Sequence, residues 1–236
     1  MSLRYEEHHD HPAERKRFIR GLFDSIVPTY DLLNRLLSMG IDGGWRRATV
    51  RALGDLRGRT ALDLCCGTGD LSRLLSRAGA AVVSLDFSLP MLAAGVMKRK
   101  LTGHPVAADA SALPMADASI DAATIAFGIR NIPDIPRMLA ELHRVMRPGG
   151  RFAILELTRP RNRLIGAAYR FYLAHALPFI GGMISGRRTA YRYLAGTIDT
   201  FLDPGELCAA IERAGFRDAV ADGKTFGIAT IITCRR

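Results

Sequence analysis

The sequence predicts a doubly wound α/β domain on a mostly parallel sheet, and three observations predict it. Short apolar runs alternate with segments of helical spacing along 60–157. The first run passes through a glycine-rich turn, ALDLCCGTGDLS at 61–72, directly into a helical segment, and the second ends on an acid, Asp86. Strands that alternate with helices pair in parallel, because a helical crossover returns the chain to the same end of the sheet.

Each element has its own signal. Residues 12–54 read as a helical N-terminal region, so the sheet starts only at Thr60. Buried strands follow at 60–65, 81–87, 105–109, 120–127 and 151–157, with helices at 70–78, 90–100 and 134–146 between them. The last helix places Ile135, Met138, Leu139, Leu142, Val145 and Met146 on one face. The pattern breaks from Arg159 to Arg163 and resumes with a helix near 204–214 and strands near 216–222 and 226–234. Neither an internal repeat nor a low-complexity segment is present.

Composition sets the limits on class. At 236 residues, 48% hydrophobic and 24% charged, the chain can bury one substantial core. The first 20 residues carry His8, His9 and His11 among charges and no apolar core, so they read as neither signal peptide nor membrane anchor, and the expected compartment is the cytosol. Cysteines 65, 66, 208 and 234 have no CxxC or zinc spacing and are expected as free thiols, with no metal bound. The net charge of +10 is concentrated: between Leu157 and Ile198 stand seven arginines (159, 161, 163, 170, 187, 188, 192) and no acid. Such a block is either a solvated basic face or a contact for phosphate-rich partners, nucleic acid or anionic membrane.

A strand, a tight glycine turn and a helix aim backbone N–H groups at a ligand beyond the carboxyl edge of the sheet. A dinucleotide fingerprint needs glycine at 72, where Ser72 stands. Asp86 suits a ribose diol, which belongs equally to a dinucleotide and to an adenosyl cofactor.

The motifs separate the two. Asp63-Leu-Cys-Cys-Gly-Thr-Gly69 resembles the glycine motif of class I S-adenosylmethionine methyltransferases, and ADASALP (108–114) and RVMRPGGRFAILEL (144–157) resemble their later motifs. YDLLNRLLSMGIDGGW (30–45), FGIRNIPD (127–134) and TAYRYLAGTI (189–198) resemble, more narrowly, the C-methyltransferases of menaquinone and ubiquinone biosynthesis, from about Phe23 to Phe216. The resemblance implies a Rossmann-like, mostly parallel seven-stranded sheet with helices on both faces. It also implies a flexible tail over 1–20 and a single methyltransferase domain over 21–236, with a helical cap at 21–56 and a helical lid insertion at 158–200.

The resemblance further implies S-adenosylmethionine as cofactor, with Asp63, Cys65, Gly67, Thr68, Gly69, Asp86, Phe87, Met91, Asp109, Ala110 and Ala126 around it. Asp63 would secure the methionine ammonium, Asp86 both ribose hydroxyls, and Asp109 and Ala110 the adenine edge, with Phe87 and Met91 on its faces. Met91 reads equally as helix core. Three positions depart from the family pattern: Cys65 for glycine or alanine, Asp42 for histidine, Ala126 for serine. A cysteine is compact enough for position 65 where the backbone is not at positive φ.

The implied reaction is methylation of a polyprenyl quinol ring carbon, which becomes nucleophilic as its phenolate forms. Arg130, Asn131 and Tyr30 are the catalytic candidates. Arginine is too basic to accept a proton, so Arg130 would stabilise phenolate or orient water. From the residues alone, Arg130 reads as a surface salt bridge and Asn131 as a turn former.

The segment 164–186 is apolar, but Arg170, His175 and Pro178 argue against a spanning helix. It reads as a lid over a greasy tail, as a helical insertion packed on the sheet and as a candidate homodimer contact; flanking arginines would place the protein peripherally on an anionic membrane. An RNA methyltransferase and a methyltransferase for another aromatic small molecule are the alternatives. Aromatic stacking residues beside the basic run are not evident, so no nucleic-acid partner is expected.

Overall fold

A computed structural model describes residues 12–160, 162–176 and 201–236, together with 179, 193 and 196–198. Arg161, Arg187, Arg188 and Arg192 of the basic stretch, and most of 177–186 in the expected lid, lie outside the described residues.

Seven strands form one sheet in the order β3-β2-β1-β4-β5-β7-β6: β1 (Thr60–Leu64), β2 (Ala81–Asp86), β3 (His104–Ala107), β4 (Ile120–Ala126), β5 (Met146–Leu157), β6 (Arg217–Lys224) and β7 (Ala229–Arg235). The first five are mutually parallel, and β7 runs antiparallel to both β5 and β6. The crossovers are α4 (Asp70–Arg77), α5 (Leu89–Met97) and α6 (Ile135–Val145), with α8 (Pro204–Arg213) before β6. Three helices precede the sheet: α1 (Pro12–Ile26), α2 (Tyr30–Leu37) and α3 (Asp42–Ala52). The boundary expected at residue 20 falls inside α1, which runs unbroken across it.

Strand alternation divides the core in two. Ala61, Ala122 and Ala153 face a cluster with Trp45, Leu71 and Leu75, while Leu62, Ile125, Phe152 and Ile154 face one with Met138, Leu142, Leu207 and Ile211. Small residues on the first face let the cap helices approach the sheet closely. Asp134 caps α6 by accepting from the Arg137 N–H at 3.0 Å, and Asp203 with Glu206 forms a capping box on α8. β5 starts five residues earlier than expected, across Pro148-Gly149-Gly150, with a shift in its register against β4.

Helix α7 (Arg163–Phe171) opens the insertion, capped by Asn162, whose Oδ1 accepts from the Leu164 and Ile165 N–H groups at 2.9 and 3.2 Å. It buries Gly166, Tyr169 and, in the following turn, Leu173. Among the described residues no helix is long and apolar enough to cross a membrane.

Candidate cofactor and methyl-transfer site

The chain leaves β1 toward β2 on one side and later returns to pair β4 on the other. That reversal opens a crevice at the carboxyl ends of the strands, the place where doubly wound folds bind ligands. Three adjoining cavities, of about 410, 30 and 10 Å³, lie there, and Cys65 lines all of them.

The glycine turn is held from below and from the side. Gly69 is left-handed (φ 89°), and a side chain there would overlap Leu101. Asp86 accepts from the Gly67 N–H at 2.8 Å and the Ser88 N–H at 2.9 Å, locking the turn to the end of β2. Asp63 accepts from the Ser72 and Thr124 hydroxyls at 2.6 and 2.8 Å. Burial pushes both carboxyls up to about 6, only partly opposed by these hydrogen bonds. Burial pushes the Cys65 thiol well up as well, helped by neighbouring carboxylates, so it stays protonated and unreactive.

The backbone of Cys65 corrects the condition set for it: φ is 52°, in the left-handed region. Phe127, at the end of β4, is there too, with φ 57°. Both strands turn sharply at the crevice, and Gly128 leaves room for the Cys65 side chain, because a Cβ at 128 would stand 2.5 Å from that of Cys65. Two side-chain-bearing residues in this conformation mark a strained site.

The large cavity is lined by Phe87, Asp109, Ala110 and Asn131 from the sheet side and by Lys16, Arg17 and Arg20 from α1. Asp86, Phe87, Met91, Gly67, Tyr30 and Asn131 line the 30 Å³ cavity. Asp63, Thr68, Ala126 and Tyr30 line the smallest, together with Arg46. Met91 is fully buried as well, so it is core and cavity wall at once, and it does not line the large cavity. Gly69 and Arg130 line none of the three.

The catalytic candidates are thus split. Asn131 faces the two larger cavities, and its Oδ1 accepts from the Tyr193 hydroxyl at 3.2 Å. Tyr30 lies over Gly67, where an added Cβ would meet the ring at 3.2 Å. Burial raises the Tyr30 phenol above its usual value, so it keeps its proton and meets a ligand as a neutral hydrogen-bond donor. Arg130 is buried and lines none of the three cavities. Its Nη1 donates to Glu156 Oε1 in a buried ion pair, and its Nε and Glu156 Oε2 have no partner among the described residues. Burial raises the Glu156 carboxyl against the pull of Arg130.

A family model described as the ubiE/COQ5 methyltransferase family matches residues 11–235. The chain belongs to that family. It is 46% identical over 215 residues to a demethylmenaquinone methyltransferase of Thermus thermophilus, covering 89% of this chain and 97% of that one. It is 42% identical over 231 residues to the ubiquinone/menaquinone biosynthesis C-methyltransferase UbiE of Geobacter sulfurreducens, covering 94% and 89%. Among solved structures, a methyltransferase of Thermotoga maritima described as a possible histamine N-methyltransferase superposes with a TM-score of 0.67 at 18% identity, over 91% of this chain and 98% of that one, which is likeness of fold.

Several residues around this crevice carry no motif of their own. Lys16, Arg20 and Asp24 stand four apart on α1 and reach the loops after β2 and β3. Lys16 pairs with Asp109 and holds its carboxyl below the usual range despite burial. Arg20 Nη2 donates to the Phe87 carbonyl at 2.5 Å, and the Ser88 hydroxyl donates to Asp24 at 2.5 Å. From α2, Asp31 accepts from the Thr68 hydroxyl at 2.6 Å and pairs with Lys98 and Lys100 at 2.9 and 2.8 Å. Burial would raise the Asp31 carboxyl, but these donors outweigh it and bring it down to about 2.

Proposed function

We propose that the chain transfers a methyl group from S-adenosylmethionine to a ring carbon of a polyprenylated quinol, in the menaquinone step, the ubiquinone step or both. One observation carries the cofactor reading: Asp63, Asp86 and Asp109 stand at the carboxyl ends of adjacent parallel strands, around adjoining cavities. The donor set fits this cofactor. Asp63 meets an ammonium, Asp86 a diol and Asp109 an exocyclic amine, and a cavity of about 410 Å³ beside Phe87 suits an adenine nucleoside. When bound, S-adenosylmethionine supplies an electrophilic methyl group on a sulfonium. The quinol reading is supported by kinship at 46% and 42% identity with methyltransferases named for menaquinone and ubiquinone biosynthesis.

The chain's own residues hold the ring oxygen as it becomes phenolate. Asn131 Oδ1 is engaged by Tyr193, which leaves Nδ2 to donate to the ring oxygen. Tyr30 donates its hydroxyl from the cap side. Arg130 stands next in sequence to Asn131, held by Glu156, and supplies positive charge behind the contact.

Labelled methyl transfer tests this under anaerobic conditions, with demethylmenaquinol, a polyprenyl benzoquinol and bulk RNA as acceptors. Label is expected in quinol and not in RNA. Label in RNA alone would assign the chain to the RNA reading.

A peripheral membrane contact belongs to the same reading. The outer face of α7 exposes Leu164 (82%) and Phe171 (66%), each next in sequence to an arginine, Arg163 and Arg170, an apolar and basic surface that suits anionic lipid. In flotation with anionic vesicles, Leu164→Ser with Phe171→Ser is expected to lower partitioning roughly 10-fold or more, and added salt to lower that of the parent. Equal binding to neutral vesicles would remove the electrostatic part. Concentration-dependent mass in sedimentation, lost in the same variant and without vesicle binding, would assign this face to a second copy of the chain.

A further inference from the structure

Arg46, the residue after Trp45 on α3, belongs to no recognised motif role, and its surroundings are unusual for a cation. Its side chain is 8% exposed. Nε donates to Asp42 Oδ2 at 3.2 Å, and Asp42 is steadied by the Ser38 hydroxyl at 3.1 Å. The guanidinium carbon lies 5.0 Å from the centre of the Phe127 ring. Trp45 anchors the same turn of helix by donating to the Thr225 hydroxyl at 2.9 Å. Among the described residues Nη1 and Nη2 have no hydrogen-bond partner, so the four donors of the fork remain free.

Neither Nη is among the fully buried atoms left without a partner, so the fork opens on the adjoining cavity, and a fork so placed is a site for an anion. Two acids share that wall: Asp63 has both oxygens engaged by Ser72 and Thr124, and Asp70 pairs with Lys100 at 2.6 Å. Arg46 and Asp63 line the same 10 Å³ cavity, at the Thr68 side of the glycine turn and away from the adenine cavity. Resting on the cofactor assignment above, the ligand end that belongs there is an α-amino acid, which carries one cation and one anion. Asp63 takes the cation.

We propose that Arg46 binds the α-carboxylate of the cofactor's methionine portion, with Asp42 holding the guanidinium so that its fork faces the ligand. A planar fork matches a carboxylate with two parallel hydrogen bonds, which a lysine cannot reproduce. The cavity holds about one water, so seating the carboxylate requires the side chains that line it to give way.

Calorimetry with three ligands tests this: S-adenosylhomocysteine, its analogue lacking only the carboxylate, and methylthioadenosine, which lacks the whole amino-acid end. The parent protein is expected to prefer S-adenosylhomocysteine to the decarboxylated analogue by on the order of 10–100-fold. Arg46→Gln with Asp42→Asn, which keeps the buried pair neutral, is expected to lose that preference while methylthioadenosine binds as before. Arg46→Lys should retain part of it. Preserved preference in the double variant, or an equal loss for all three ligands with a lowered melting temperature, would overturn the assignment. If the parent bound none of the three, the cofactor reading itself would fall.

Discussion

Asp86→Ala is expected to weaken S-adenosylhomocysteine binding by roughly 2–4 kcal/mol, the loss of two hydrogen bonds to a charged acceptor. That corresponds to about 30- to 1,000-fold in Kd. The same carboxylate accepts from the Gly67 and Ser88 N–H groups, so a structural contribution must be separated from a ligand contribution. Burial raises the Asp86 carboxyl to about 6 from 3.8, which supplies the separation. An acid with a raised folded pKa binds protons more tightly folded than unfolded, so its contribution to stability falls as pH rises from about 4 past 6. Above that window the ionised carboxylate is a cost to the empty protein. Its removal offsets the two backbone hydrogen bonds lost with it, and the variant should melt close to the parent at pH 8. Ligand affinity of the parent runs the other way, weakening as pH drops through 6, because a protonated carboxyl accepts poorly from two hydroxyls. Calorimetry showing unchanged affinity in the folded variant would remove Asp86 from the ribose site.

Much of this arrangement is legible in sequence because strand ends are fixed by local pattern. The runs at 60–65, 81–87 and 120–127 end within one residue of the observed strands, so the acids Asp63 and Asp86 can be placed at the crevice from pattern alone. What pattern does not carry is partnership across the fold. Glu156 lies 26 residues from Arg130 and reads as one more position in a buried strand, so Arg130 reads as a surface ion pair. Lys16, Arg20 and Asp24 share a helix face, a spacing visible in the sequence, but nothing local says that the face meets the loops after β2 and β3. Cys65 fails for another reason. Its left-handed backbone follows from the sharp exit of β1 beside Gly128, a tertiary constraint that overrides the preference of the residue.

Arg130→Gln is expected to do two things that a second substitution can pull apart. Removing one partner of a buried ion pair leaves Glu156 uncompensated and should cost about 3–5 kcal/mol of stability. If the guanidinium also stabilises developing phenolate, single-turnover rate should fall by something like 100-fold, worth ~3 kcal/mol. Arg130→Gln with Glu156→Gln leaves two neutral amides in place of the pair, and is expected to recover most of the stability but not the rate. Raising pH ionises more quinol in solution and should partly rescue the double variant, since the missing positive charge matters less once the phenolate already exists. Glu156→Gln alone leaves the Arg130 charge unopposed beside Asn131 and should not slow the chemical step in the molecules that remain folded. The measurements are anaerobic single-turnover rates over a pH series, with urea melts of each protein. A double variant that regains parental turnover along with its stability would show that Arg130 holds the turn and nothing more, leaving Asn131 and Tyr30 as the residues that meet the ring oxygen.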